Sequence, residues 1–155
     1  MAEFTHVKGD RVQMVDVSGK DEVVREAVAE GRIRLRKDTL RAIREGSLVK
    51  GNVLATARVA AIQAVKETPR IIPLCHPIPL SGIEVDFTDG EGFIRVTVRV
   101  RSRGPTGVEM EALTGVSVAL LTVWDMVKSA EKDAGGQYPE TTIEGIRVVS
   151  KRKGD

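Results

Sequence analysis

Four ionisable side chains sit on a stretch of chain that is otherwise apolar. Residues 105–128, PTGVEMEALTGVSVALLTVWDMVK, carry Glu109 and Glu111 near one end and Asp125 and Lys128 near the other. Ala112, Val116, Ala119, Leu120, Val123 and Val127 recur at helical spacing, which predicts a helix with one core face. A second stripe of the same helix reads Glu111, Thr114, Val118, Leu121, Asp125, Lys128, and half of it is ionisable. Burying a charge is costly unless the group is paired or used, so the stripe points to acid–base work or to binding. Plainer roles exist for parts of it. Thr106 with Glu109 has the S/T-x-x-E form of a capping box, which would start the helix at Gly107, and Asp125–Lys128 fits an i,i+3 ion pair. Glu111 and Asp125 are 14 residues apart, about 21 Å along a helix. They cannot meet at one reacting atom within one chain. Either the ligand is long, or the two helix ends serve different pockets completed by neighbouring subunits; the second is the expectation.

Two further segments could carry chemistry. Lys50 precedes Gly51-Asn52 at the start of a helix, where free N–H groups and the positive dipole end suit a phosphate. A surface lysine beside a cap is the ordinary alternative. His76 lies in the loop Pro73-Leu74-Cys75-His76-Pro77-Ile78-Pro79, where Pro77 biases it to extended geometry. A stiff loop suits a positioned acid, base or hydrogen-bond donor, although a histidine bonded to backbone would sit there equally well. Cys75 is adjacent, but neighbouring extended residues point to opposite sides, which weakens a Cys–His nucleophile. One cysteine and two distant histidines give no zinc-ligand spacing.

The elements that must position these groups follow from patterning. Residues 1–21 read as a polar lead-in with a short apolar piece at Met14, Val15 and Val17. In the segment from Val23 to Leu35, Ala27, Ala29, Ile33 and Leu35 alternate with charge, which reads as a strand, though the alanines also suit a helix. Asp38 to Glu45 reads as a short helix ended by Gly46, and Asn52 to Glu67 as a second one stopped before Pro69. Ile83, Val85, Phe87 and then Ile94, Val96, Val98, Val100 alternate around Asp89-Gly90-Glu91-Gly92, a β-hairpin. The long helix runs to about Asp133, and Ile143 to Val149 supplies a last strand. The order gives an α+β, ferredoxin-like β-α-β-β-α-β fold, with helices on one face of a mainly antiparallel sheet. The other face is then solvated or covered by another subunit. Arg95, Arg99, Arg101 and Arg103 fall on that side of the hairpin's second strand. They form either a wet polar face or an anion- or RNA-binding face. The strand offers no stacking aromatic beyond Phe93, so nucleic acid is not expected.

At 155 residues the chain is one domain, 1–155, with 41% apolar and 30% charged residues. A net charge of +2 does not argue for nucleic acid, and one cysteine fits a reducing cytoplasm. Neither a signal-peptide pattern nor an apolar run of about 18 residues is seen, so export and membrane spanning are not expected.

Together these pieces resemble a known family. KGNVLATARVAAIQAVKETPRIIPLCHPIPLSGIEVDF at 50–87 and TGVEMEALTGVSVALLTVWDMVKSAEKD at 106–133 are similar to the cyclic pyranopterin monophosphate synthases, molybdenum cofactor biosynthesis proteins of type C. THV at 5–7, MVDVSGK at 14–20 and VREA at 24–27 fit as well, while 134–142 and the last residues are this chain's own. The resemblance implies conversion of 3′,8-cyclo-7,8-dihydroguanosine triphosphate into cyclic pyranopterin monophosphate and pyrophosphate. It implies a homohexamer, a trimer of dimers, with sites at subunit interfaces. Matched residue by residue, it implies substrate binding at Leu74, Cys75, His76, Met110 and Glu111, an active-site Asp125 and its partner Lys128. Lys50, Glu109, Arg25 and Lys151 match other polar positions of that pocket. By charge, Lys50, Lys151 and Arg25 would clamp the triphosphate, and Asp125 with Lys128 would move protons. A lysine screened from water can have its pKa lowered, although an aspartate beside it pulls the other way. No resident cofactor or metal is implied, and Mg²⁺ has a place only as counter-ion of the triphosphate. Two other readings compete. One is a non-catalytic oligomeric module binding an anionic ligand or RNA. The other is a metal-dependent phosphohydrolase using Glu109, Glu111 and Asp125, which the helical spacing opposes.

Overall fold

The computed structural model describes residues 3–46 and 52–154. The strand alternation at 23–34 wins over the helical reading. Ala27, Ala29, Gly31 and Ile33 face the helices, and β3 (Val23–Arg34) is a central strand, paired on both sides. Before it, β1 (Val7–Lys8) and β2 (Arg11–Val12) form a small antiparallel pair, an element the polar lead-in did not announce. After it come α1 (Lys37–Glu45), α2 (Val53–Ile71), β4 (Leu80–Gly90), β5 (Phe93–Gly104), α3 (Glu109–Glu131) and β6 (Thr142–Lys153). The main sheet runs β4-β5-β3-β6 with every neighbouring pair antiparallel. This is the ferredoxin-like arrangement, α2 and α3 covering one face.

Register explains the two faces. On β5, Ile94, Val96, Val98 and Val100 are fully buried beneath the helices. Arg95, Arg99 and Arg101 alternate to the open face, where acids on the neighbouring strands meet them. Arg99 and Arg101 reach Glu26 at 2.9 and 2.6 Å, and Arg95 reaches Glu30 at 3.4 Å. These arginines are therefore engaged by carboxylates on the neighbouring strands, the arrangement of an ion-paired polar face. β6 keeps pace with β3 through a bulge where Gly145 takes φ +68°.

α3 is long and apolar enough to cross a membrane by length and composition. Its core face, Ala112, Val116, Ala119, Leu120, Val123 and Val127, is instead wholly buried in the protein. Two glycines set how deep it sits. A Cβ on Gly31 would come within 2.8 Å of Val116 Cγ1, and one on Gly115 within 2.7 Å of Val65 Cγ2. Glu131, fully buried at the far end, ties three elements together. Its carboxyl accepts from the Arg36 N–H at 3.1 and 3.3 Å, from the Thr141 hydroxyl at 2.7 Å and from the Thr39 hydroxyl.

Two expected boundaries are corrected. α2 runs through Pro69 to Ile71, because a proline near the C-terminus removes only one backbone bond, and the helix still closes with the Ile72 N–H on the Thr68 carbonyl at 2.8 Å. Its start is as expected: the Asn52 side chain accepts from the Ala55 N–H at 2.9 Å. α3 begins at Glu109 and not at Gly107, ends at Glu131, and has no side-chain cap. Buried Val108 holds the cap position, while the Glu109 carboxyl lies over Gly107 and pairs with Lys151 at 3.5 Å.

Candidate active site

Three stretches far apart in sequence converge on one cavity of about 630 Å³. The loop after α2 contributes Leu74, Cys75 and His76, and the first turn of α3 contributes Glu109, Met110 and Glu111. The third wall, the N-terminal segment with Thr5, His6 and Lys20, was not singled out from residue chemistry. Its only signal was the THV and MVDVSGK resemblance, since short polar segments carry no periodicity.

His76 is fixed by the backbone of that third wall. Its Nε2 donates to the Val15 carbonyl at 2.5 Å, and because a carbonyl only accepts, Nε2 carries the proton. The histidine thus tethers the N-terminal segment at the cavity. Cys75 and Glu111 face each other, the thiol donating to Glu111 Oε2 at 3.7 Å, a long contact for sulfur. Burial, then the charge of Glu111 and the bond to it, push the Cys75 thiol up to about 11. Burial likewise pushes the Glu111 carboxyl up, with Glu109 adding to the push, against the pull of its own backbone N–H and the Cys75 thiol. Glu111 is only 1% exposed, and its Oε1 has no hydrogen-bond partner among the described residues.

Around this centre lie the matched cations. Lys151 Nζ is 3.5 Å from Glu109 Oε1. Arg25 donates to the carbonyls of Gly104 and Pro105, at 3.4 and 3.2 Å, bracing the turn into α3. Neither lines the cavity. Lys50 lies outside the described residues. Asp125 and Lys128 are not brought to this cavity. They pair with each other at 2.8 Å, with side chains 64% and 44% exposed, about 21 and 25 Å along α3 from Glu111. The hydrogen bond and charge of Asp125 raise the Lys128 pKa, so of the two opposed effects weighed for this lysine the aspartate wins over desolvation. Trp124 packs edge-on against Tyr138, 5.1 Å between ring centroids, closing the 134–141 turn onto the same end of α3. Among the described residues, no three His, Cys, Asp or Glu side chains are grouped to hold a metal ion. The three carboxylates of the phosphohydrolase reading are split between the two helix ends.

Comparison with known proteins gives one consistent result. The model of the MoaC family matches residues 14–154. A probable cyclic pyranopterin monophosphate synthase of Methanoregula boonei is 73% identical over 154 residues, covering 99% of each chain. A probable cyclic pyranopterin monophosphate synthase of Methanosphaerula palustris is 67% identical over 99% of this chain and 100% of its own. One of Pyrococcus abyssi is 60% identical over 99% of this chain and 96% of its own.

Proposed function

The chain belongs to the MoaC family, and on that premise we propose that it is a lyase of molybdenum cofactor biosynthesis. It converts (8S)-3′,8-cyclo-7,8-dihydroguanosine 5′-triphosphate into cyclic pyranopterin monophosphate and pyrophosphate. The observation that carries this reading is the convergence of Leu74-Cys75-His76 and Glu109-Met110-Glu111, segments about 35 residues apart, on one cavity of a size that suits a nucleotide-sized ligand. In this reading the cavity wall binds the ring and ribose-derived part. Lys50, Lys151 and Arg25 stabilise charge on the departing pyrophosphate. Asp125 and Lys128 transfer protons, since rebuilding the ring system moves protons at several atoms.

The exposed Asp125–Lys128 pair completes a cavity on a neighbouring subunit, in a homohexamer arranged as a trimer of dimers. Its exposure supports this: a proton-transfer pair open to water on its own chain needs a second surface to enclose it. No resident cofactor is needed, and Mg²⁺ enters only with the triphosphate. The reaction belongs to the cytoplasm.

The test is pyrophosphate release and pterin formation from enzymatically prepared cyclised dihydro-GTP, with GTP as control. Product from the cyclised substrate alone is expected; a folded, oligomeric sample without turnover would overturn the reading and reopen the anion-binding one. Asp125→Asn and Lys128→Ala are expected to lower turnover by orders of magnitude with the oligomer intact. Equal mixing of Asp125→Asn with Glu111→Ala subunits, followed by reassembly, should restore activity to roughly a quarter, because only one composite site in four is then intact. A site within one chain would restore none.

A further inference from the structure

Glu111 has the environment of a neutral acid. It is 1% exposed and lines the cavity, on a helix turn that already carries Glu109. Among the described residues, the charged and titratable groups around it, Cys75 apart, have other commitments or no bond to it. On the loop after α2, Cys75 offers a thiol to Oε2, and His76 has its Nε2–H committed to Val15. On β6, Lys151 is committed to Glu109. On the N-terminal segment, His6 and Lys20 line the same cavity, and on α2, Lys66 shares a small adjoining cleft with Glu111. None of these cations forms an ion pair or hydrogen bond with Glu111, and Oε1 is buried and unpartnered among the described residues. An ionised carboxylate in such a place loses hydration with only its own backbone N–H and a long thiol contact to replace it, whereas the neutral form loses far less. The two oxygens are also inequivalent. The Cys75 thiol donates to Oε2, so the carboxyl proton belongs on Oε1, the buried oxygen without a partner among the described residues.

We propose that Glu111 enters the reaction cycle as a neutral carboxylic acid whose Oε1–H donates a hydrogen bond to an acceptor atom of the substrate ring, a carbonyl oxygen or an unprotonated ring nitrogen, with Cys75 fixing which oxygen carries the proton. This deepens the proposed function and rests on it for the identity of the ring, but not for the state of the acid. The upward push that burial exerts on this carboxyl agrees with it. Such a donor inverts the usual expectation for a glutamate in a purine site, which would accept from N–H groups.

The experiment has two independent readouts. Infrared difference spectroscopy of wild type against Glu111→Gln at pH 7 is expected to show one protonated-carboxyl C=O band lost on substitution. Titration of that band should place its midpoint above the ordinary glutamate range. No lost band, in a variant that is folded by circular dichroism, would overturn the proposal whatever the activity. The second readout is the pH profile of kcat/KM with the cyclised substrate. In wild type an alkaline limb follows ionisation of Glu111, while Glu111→Gln, whose amide donates at every pH, should flatten that limb whatever its absolute rate. An unchanged limb would overturn the proposal. A protonated-carboxyl band in a protein that does not turn over the cyclised substrate would instead sink the proposed function and leave the neutral acid standing.

Discussion

Cys75 should be a poor nucleophile although it lines an open cavity. Its thiol is pushed from 9.0 up to about 11, first by burial, then by the charge Glu111 carries once it has ionised in the alkaline range where the thiol titrates, and by the hydrogen bond to it. Only the thiolate reacts with iodoacetamide. At pH 8 a thiol of pKa 9 is thiolate in about one molecule in ten, and one of pKa 11 in about one in a thousand. Alkylation of the native protein should therefore be about a hundredfold slower than that of the urea-unfolded chain, in which Cys75 titrates normally. Mass spectrometry gives both second-order rates, since the chain has a single cysteine. The pH dependence separates this electrostatic protection from steric shielding. The logarithm of the native rate should climb with unit slope through pH 10, whereas shielding would lower the rate uniformly and leave the bend near 9. Glu111→Gln removes the second and third causes of the shift and keeps the first, so the bend should move down without returning to the unfolded value. A bend near 9 in the wild-type native protein would refute the reasoning. The same shift has a sign for stability. The native state holds the thiol proton more tightly than the unfolded chain, so this group's contribution is intact below pH 9.0 and is lost as pH rises toward 11.

Other substitutions probe the frame that holds the site. Glu131→Ala strands the Arg36 N–H and the hydroxyls of Thr39 and Thr141 in the interior, and should destabilise the protein by about 3–5 kcal/mol. Urea unfolding within about 1 kcal/mol of wild type would show that the three-way tie is dispensable. Gly31→Ala drives a methyl against Val116, Leu120 and Ile146, all at 2.8–3.0 Å, at an expected cost of about 1–3 kcal/mol. A variant with unchanged thermal midpoint would mean that α3 shifts freely over β3.

The main elements were legible wherever a periodic pattern ran long enough to be unambiguous. Every residue of the proposed core face of α3 is fully buried, because six apolar positions at helical spacing have no other consistent placement. The β4–β5 hairpin was legible from alternation on both sides of a glycine-rich turn, and only Glu91 and Gly92 are left between the strands. The start of α3 was misread because a capping box is a local rule. The Glu109 side chain is instead drawn to Lys151, which lies 42 residues away in sequence and becomes a neighbour only when β6 pairs with β3. Pro69 misled for a related reason: a local stop signal was outweighed where only two residues of helix followed. At the site, resemblance named Cys75 and Glu111 separately, but nothing in their spacing says that thiol and carboxyl touch. That contact depends on how the loop after α2 folds back over α3.

The missing side chain at Gly115 gives the site a mechanical reference plane. It lies one helical turn beyond Glu111, and a Cβ there would sit 2.7 Å from Val65 Cγ2 and 3.2 Å from Val98 Cγ1. The depth of α3 against α2 and β5 is thus set by an absence, and so is the height of Glu111 relative to Cys75. Their 3.7 Å contact has little slack, since a sulfur donor loses its hold with a few tenths of an ångström more. A methyl group at position 115 would lift the helix by about that amount. Damage of this kind would look like a lesion of the chemistry while lying out of reach of any ligand. Mutational maps of this cavity should accordingly extend inward along α3, through a residue with no functional group at all.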